Sequence, residues 1–364
     1  MNRIRKLVPI AGLVATLVVA APVAFASEKA SASAYKPARN AQGHPDLQGI
    51  WDFRTLTPLE RPEEMGEQAV FSEEEQEAFR QKAIAVNDVD NKRTEDGKVD
   101  VEGAYNSAWY DFGTEMNEDR RTSLIVDPAN GRLPALTSAA KVNLKENLKR
   151  VPPVRDLFSF SATPGPSGSF RPVGPEVLGL SERCMVGFNA GPPLTPSAYN
   201  NNLRIVQAPS HVVIFTEMIH DARIIPIDGR PHLSGDIKKW YGDSRGHWDG
   251  DTLVVETRNF TNKTPIYQLP LRLDKLDETG PVGFGQDMRL VERFTRVSDS
   301  RINYEYTIDA PDTFVKPFTV IIPMRATDDQ IFEYACHEGN YGMAGMLGGA
   351  RTAEKEDAAA AANQ

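Results

Sequence analysis

The apolar and polar positions change their rhythm along the chain. From Leu203 onward they read almost wholly as strands: Leu203–Gln207, Val212–Ile219, Arg223–Ile227, Arg245–Trp248, Thr252–Phe260, Arg289–Val297, Ile302–Ile308, Phe318–Arg325 and Ile331–Cys336. The clearest alternation sets Ile302, Tyr304, Tyr306 and Ile308 against Arg301, Asn303, Glu305 and Thr307. A period of two with one wet face is the signature of an antiparallel strand. Asp249-Gly250, Asp299-Ser300 and Asp328-Asp329 mark turns; Asp-Gly between apolar runs is a strong hairpin signal.

The first half differs. Ser72 followed by Glu75 predicts a capping box, opening a helix over Ser72–Val86 with Ala78, Phe79 and Ala83 as its apolar side. Thr137–Arg150 reads as a second helix with a Thr cap and a basic end. Arg121–Asp127 reads as a short strand stopped by Pro128 and Asn130-Gly131. Asn87–Gly103 and the Pro-, Gly- and Ser-dense Val151–Pro175 read as loops, the latter as the best candidate boundary. Gly49-Ile50-Trp51 opens the folded part, with Trp51 a core residue. The expected fold is mainly β: an antiparallel meander, closed as a lipocalin-like barrel or doubled as a β-sandwich, with N-terminal helices and long loops.

The organisation follows. Arg3, Arg5 and Lys6, the apolar run Leu7–Ala21 and Ala24-Phe25-Ala26 make residues 1–26 a signal peptide. Residues 27–43 form a flexible leader, and 44–351 a single folded unit: a mixed helical and loop part to 175, then a β-rich part from 176. Residues 352–364 form a disordered tail. The expected location is periplasmic or secreted, with no membrane span once the leader is removed. The formal net charge is −9, without a basic stripe. Nucleic acid is therefore excluded as a partner, and a small molecule is expected instead. The two cysteines, Cys184 and Cys336, both lie in the exported part, where oxidising conditions favour pairing them.

Candidate chemistry gathers in two places. Thr216–Pro226, TEMIHDARIIP, sets Glu217, His220, Asp221 and Arg223 between apolar runs. Such charges are paired, bonded or solvated, because burying them alone costs several kcal/mol. In a regular strand Glu217, Asp221 and Arg223 share one face; with a turn at Asp221-Ala222, His220 and Arg223 become cross-strand neighbours. Tyr334–Gly342 adds His337 and Glu338 beside Cys336, followed by glycines expected to be mobile. A histidine fixed by a carboxylate suits acid–base catalysis, and arginine suits an anionic substrate. Catalysis is thus expected from His220 or His337, oriented by Glu217, Asp221 or Glu338. Arg223, Trp240, Tyr241, Asp243, Arg245 and Tyr341 would bind the substrate.

Gly242-Asp243-Ser244-Arg245-Gly246 fits G-x-S-x-G, but the flanking residues read as strands, so a tight bend is the better account than a nucleophile. His44, His211 and His232 are assigned to structure or solvent, and His247 to either role. No cofactor is expected. A metal held by Glu217, His220, His337 and Glu338 is the lesser alternative, without diagnostic spacing.

These blocks carry a resemblance. Tyr199–Asn202, Thr216–Pro226 with Asp228–His232, Gly242–Thr257 and Tyr334–Met343 resemble segments of a family of exported, mostly uncharacterised bacterial proteins. The resemblance runs from about Asp46 to Arg351. It implies export and one domain-sized unit, and it carries no catalytic assignment. The leading expectation is an exported, cofactor-free lyase, isomerase or hydrolase acting on a small organic substrate, aromatic or anionic. A periplasmic lipocalin-like carrier of a hydrophobic ligand is the alternative, and an inert envelope protein the third reading.

Overall fold

A computed structural model describes residues 35–88, 90, 107–142, 174–175, 183–187, 189–261 and 287–362. The signal peptide, leader residues 27–34 and nearly all of Val151–Pro175 lie outside these residues. Residues 37–364 cluster as one unit.

Ten strands form one antiparallel sheet: β1 Gly49–Asp52, β2 Ile125–Asp127, β3 Asn202–Gln207, β4 His211–Thr216, β5 Ala222–Pro226, β6 Asp243–Asp249, β7 Thr252–Arg258, β8 Arg289–Ser298, β9 Arg301–Asp309 and β10 Phe318–Thr327. The hydrogen-bonded order is β5-β4-β3-β1-β10-β9-β8-β7-β6, with β2 added to β10. Eight of the nine strands expected after Leu203 are present to within a few residues. The ninth, Ile331–Cys336, is irregular. It follows Asp328-Asp329, which ends β10 instead of turning into a hairpin. The Asp299-Ser300 turn does form, pairing Ser298 with Arg301. At Asp249-Gly250 the loop is Gly250-Asp251, closed by Asp249 opposite Thr252, and Gly250 takes the positive φ of 59° that such a turn requires.

The period-two rows are the core. Ile302, Tyr304, Tyr306 and Ile308 are all fully buried, as are Phe318, Val320, Ile322 and Met324 on the neighbouring strand. Trp51 is buried and donates its indole N–H to the Leu47 carbonyl at 2.9 Å. Among these inward rows Glu292, between Leu290 and Phe294 on β8, is fully buried and charged.

The expected closed barrel is not reached by hydrogen bonding, and the strands do not divide into two sandwich sheets. No ladder joins β5 to β6 among the described residues. Every step of the path is antiparallel. Nine strands in that path make its two end strands run the same way, so a closing ladder would have to be parallel. The ends meet instead through side chains. A Cβ on Gly246 would stand 2.8 Å from Ile227 Cγ2 and 3.1 Å from Ile225 Cγ2.

Helix α1, Glu73–Asn87, starts with the expected capping box: Ser72 and Glu75 each accept the other's backbone N–H. Residues 138–142 are helical, and Thr137 Oγ1 accepts from the Ala140 N–H; the remainder of that expected helix lies outside the described residues. The strand expected over Arg121–Asp127 shortens to β2. A second helix, α2, spans Tyr341–Ala362. It corrects one expectation, since residues 352–362 are helical and not a disordered tail; the glycine-rich stretch expected to be mobile is helical from Tyr341 on. Its alanines favour a helix enough to offset the glycines. Among the described residues no helix is long and apolar enough to cross a membrane.

Candidate functional site

Between β4 and β5 the chain cannot turn in two residues, because Phe215 pairs with Ala222 and Thr216 N–H closes onto the Asp221 carbonyl. The intervening Glu217–Asp221 loop is a 3-10 turn with Ile219 and His220 at positive φ. That geometry separates the four charges instead of aligning them on one strand face.

Two of the four serve the scaffold. Glu217 is buried; one carboxylate oxygen accepts from Phe332 N–H at 3.0 Å and the other from the Asn202 amide at 3.3 Å. His220 Nδ1 lies 2.9 Å from the Tyr334 carbonyl, so that nitrogen carries the proton. Together they hold the irregular 332–334 segment, which leads into the Cys184–Cys336 disulfide. That bridge forms as expected. His337 and Glu338 are exposed, and Tyr341 is 83% exposed at the start of α2. Neither His220 nor His337 lines the cavity described next.

The other two charges meet that cavity. Where β5 and β6 begin, the seam between the sheet's ends splays into a space of about 430 Å³. Asp221 and Arg223 line one side; Tyr241, Asp243, Ser244 and Arg245 line the other. Leu194 and Ile214 contribute apolar wall, and Arg230 and Lys239 add cations. Five of the residues expected from the sequence thus share one cavity. Trp240 is half-buried and does not line it.

The floor is ionic. Arg223 donates from both terminal nitrogens to Glu292, at 2.7 and 3.0 Å. Tyr304 O–H donates to the same carboxylate at 2.8 Å and accepts from Leu194 N–H at 3.0 Å. Burial, and then the charge of Glu292, push the Tyr304 hydroxyl well above the ordinary tyrosine value. Tyr241 is likewise pushed up, by burial and by the charge of Asp221. Both phenols stay neutral. Asp221 makes no ion pair among the described residues, and Oδ1 accepts only the adjacent Ala222 N–H.

Ser244 is no nucleophile elbow. It is buried inside β6, shares a hydrogen bond with Thr257 Oγ1 at 2.9 Å, and is followed by strand instead of helix. Gly242, at φ 68°, supplies the bend before the strand.

Asp243 is the hub of the outer wall. Its carboxylate accepts from Leu233 N–H at 3.0 Å and from Arg245 at 2.9 Å. His232 Nδ1 is 3.1 Å away. Burial pushes the Asp243 carboxyl up, but the Leu233 N–H, His232 and Arg245 outweigh it and hold the group below the usual aspartate value. His232 also places Nε2 3.5 Å from Glu256. Sequence reasoning assigned His232 to structure or solvent and missed this bridge; its one signal was proximity to the Asp228–Pro231 turn. Among the described residues no group of three or more His, Cys, Asp and Glu is placed to hold a metal.

Comparison of the chain with protein-family models, curated proteins and solved structures gives no match.

Proposed function

We propose that the protein is an exported enzyme that performs acid–base chemistry on a small organic anion in the seam cavity. One observation carries this reading: Asp221, Arg223, Tyr241, Asp243 and Arg245, drawn from separate segments, line a single space. A carboxylate without a counter-ion among the described residues, beside the neutral Tyr241 phenol and guanidinium groups, suits removal of a proton from a substrate held by its negative charge. Asp221 is the proton-transfer group. Arg223 and Arg245 hold the anion, and Tyr241 donates to charge developing on substrate oxygen. The Cys184–Cys336 bridge and the leader sequence support export. A carrier of hydrophobic ligands is supported less, since Phe294, Tyr304 and Tyr306 fill the inward rows with ring contacts.

The test is turnover across a panel of small aromatic and aliphatic carboxylates. Asp221→Asn keeps the shape and removes the base, so kcat drops by about 10²–10⁴ while saturation by substrate persists. Turnover at the native rate in Asp221→Asn would sink the assignment.

A further inference from the structure

The cavity's cations are not equally free. Arg245 spends Nη1 on Asp243 and on the Ser244 carbonyl, and Nε on the Pro231 carbonyl. Lys239 Nζ stands 3.6 Å from the same Asp243 carboxylate. One buried carboxylate therefore draws on two of the four cations that line the space. It has a third partner, His232, whose side chain is 23% exposed and which does not itself line the cavity.

We infer that His232 sets the pH at which this cavity holds its anion, being protonated in the tight-binding form. The inference rests on the anion-binding reading above. When His232 is neutral, the Asp243 charge is met by Arg245 and Lys239, and their field toward the cavity is diminished. A proton on His232 adds a positive partner for Asp243 from outside the cavity, and Arg245 and Lys239 turn their charge to the ligand. The surrounding charges do not reverse this. Glu256, 3.5 Å from Nε2, favours the proton and is itself held by Arg289 and Arg258. Arg230, the neighbour in the turn, is occupied by Asp228. Arginine and lysine keep their charge over the pH range in which histidine titrates. The Asp243 carboxyl, held low, stays ionised there too.

The effect is a linkage and must be reciprocal: if the proton tightens the anion, the anion tightens the proton by the same factor. Sulfate is the probe, because it stays a dianion throughout. Calorimetric titration at pH 5.5 and pH 8.0 is expected to give sulfate binding about fivefold tighter, or more, at the lower pH. His232→Gln abolishes that ratio and His247→Gln preserves it. Saturating sulfate raises the NMR titration midpoint of His232 in the native protein, a readout that does not depend on any variant folding. A ratio that survives His232→Gln, or a midpoint unmoved by bound sulfate, overturns the inference and leaves the anion site standing. Failure of sulfate and benzoate to bind at either pH overturns both.

Discussion

Arg223→Met should be among the most damaging changes this protein can suffer. The Glu292 side chain is fully buried and that of Arg223 is 14% exposed, joined by two hydrogen bonds. Removing the guanidinium leaves a carboxylate with the Tyr304 O–H as its only remaining partner among those described. Breaking a buried pair in this way costs about 3–5 kcal/mol, a large share of the roughly 5–15 kcal/mol that holds a domain together. The cost belongs to the stranded charge and not to a lost attraction. The double variant Arg223→Met with Glu292→Gln should therefore recover about half of it or more: the amide is neutral, and its oxygen still accepts from Tyr304. The single variant has a pH signature with a definite sign. An unpaired buried Glu292 has its folded pKa raised above the unfolded value, so its contribution is present below the unfolded pKa and lost as pH rises through the folded one. The deficit relative to the native protein should thus shrink at pH 5 and grow at pH 8. Urea unfolding of the native protein, the two single variants and the double variant at both pH values measures all of this. An Arg223→Met variant within about 1 kcal/mol of native at pH 8, or a double variant that loses the sum of both single changes, would refute the account of the cavity floor.

The Cys184–Cys336 bridge closes a sequence separation of 152 residues. Replacing both cysteines with serine should lower stability by up to about 5 kcal/mol in the chain-entropy model, read as a lower urea midpoint; no shift would mean that the bridge constrains nothing. Asp243→Asn should, like Arg223→Met, show a deficit that grows with pH, but through a lowered native carboxylate and in a more acidic window. A folded pKa held low stabilises above the unfolded value, and that stability is lost as pH falls through the folded one. The native protein's advantage over the variant is expected to be full at pH 7 and to fade in the acid range below the ordinary aspartate pKa, and a difference that stayed constant down to pH 2.5 would contradict it.

The sheet was legible because burial and pleat enforce the same period. Ile302 to Ile308 alternate in sequence for the reason that they alternate in space: one row has no water to face. The Ser72–Glu75 box was legible because both halves of the cap are written three residues apart. The site was half legible. Arg223, Tyr241, Asp243 and Arg245 stood out as charged or aromatic residues at strand starts, but their common cavity depends on the two ends of a nine-strand path coming together. No local pattern encodes that. The histidines misled for a related reason. His220 sits among charges in sequence, yet positive φ at Ile219 and His220 directs its ring to the Tyr334 carbonyl. His232 sits in an unremarkable turn, yet the 228–242 connection lays it across Asp243 and Glu256. Helix α2 was hidden by its glycines.

The seam itself explains why charge gathers at this place. Antiparallel pairing throughout leaves β5 and β6 running in the same direction, and no ladder joins them. At Gly246 the gap is filled by Ile225 and Ile227, which approach closely only because position 246 has no side chain. Toward the start of both strands the filling stops, and the inward face of β5 carries Arg223 where a core residue would otherwise stand. An arginine there needs a buried counter-charge, and Glu292 on β8 provides it from across the interior. The open end of the seam is thus held apart by a polar network instead of being zipped by backbone hydrogen bonds. Replacing Arg223 and Glu292 together by apolar residues is a change often neutral or stabilising for buried ion pairs, so stability alone does not account for the pair. That such a pair stands at the floor of the cavity is what ties the open seam to the proposed chemistry.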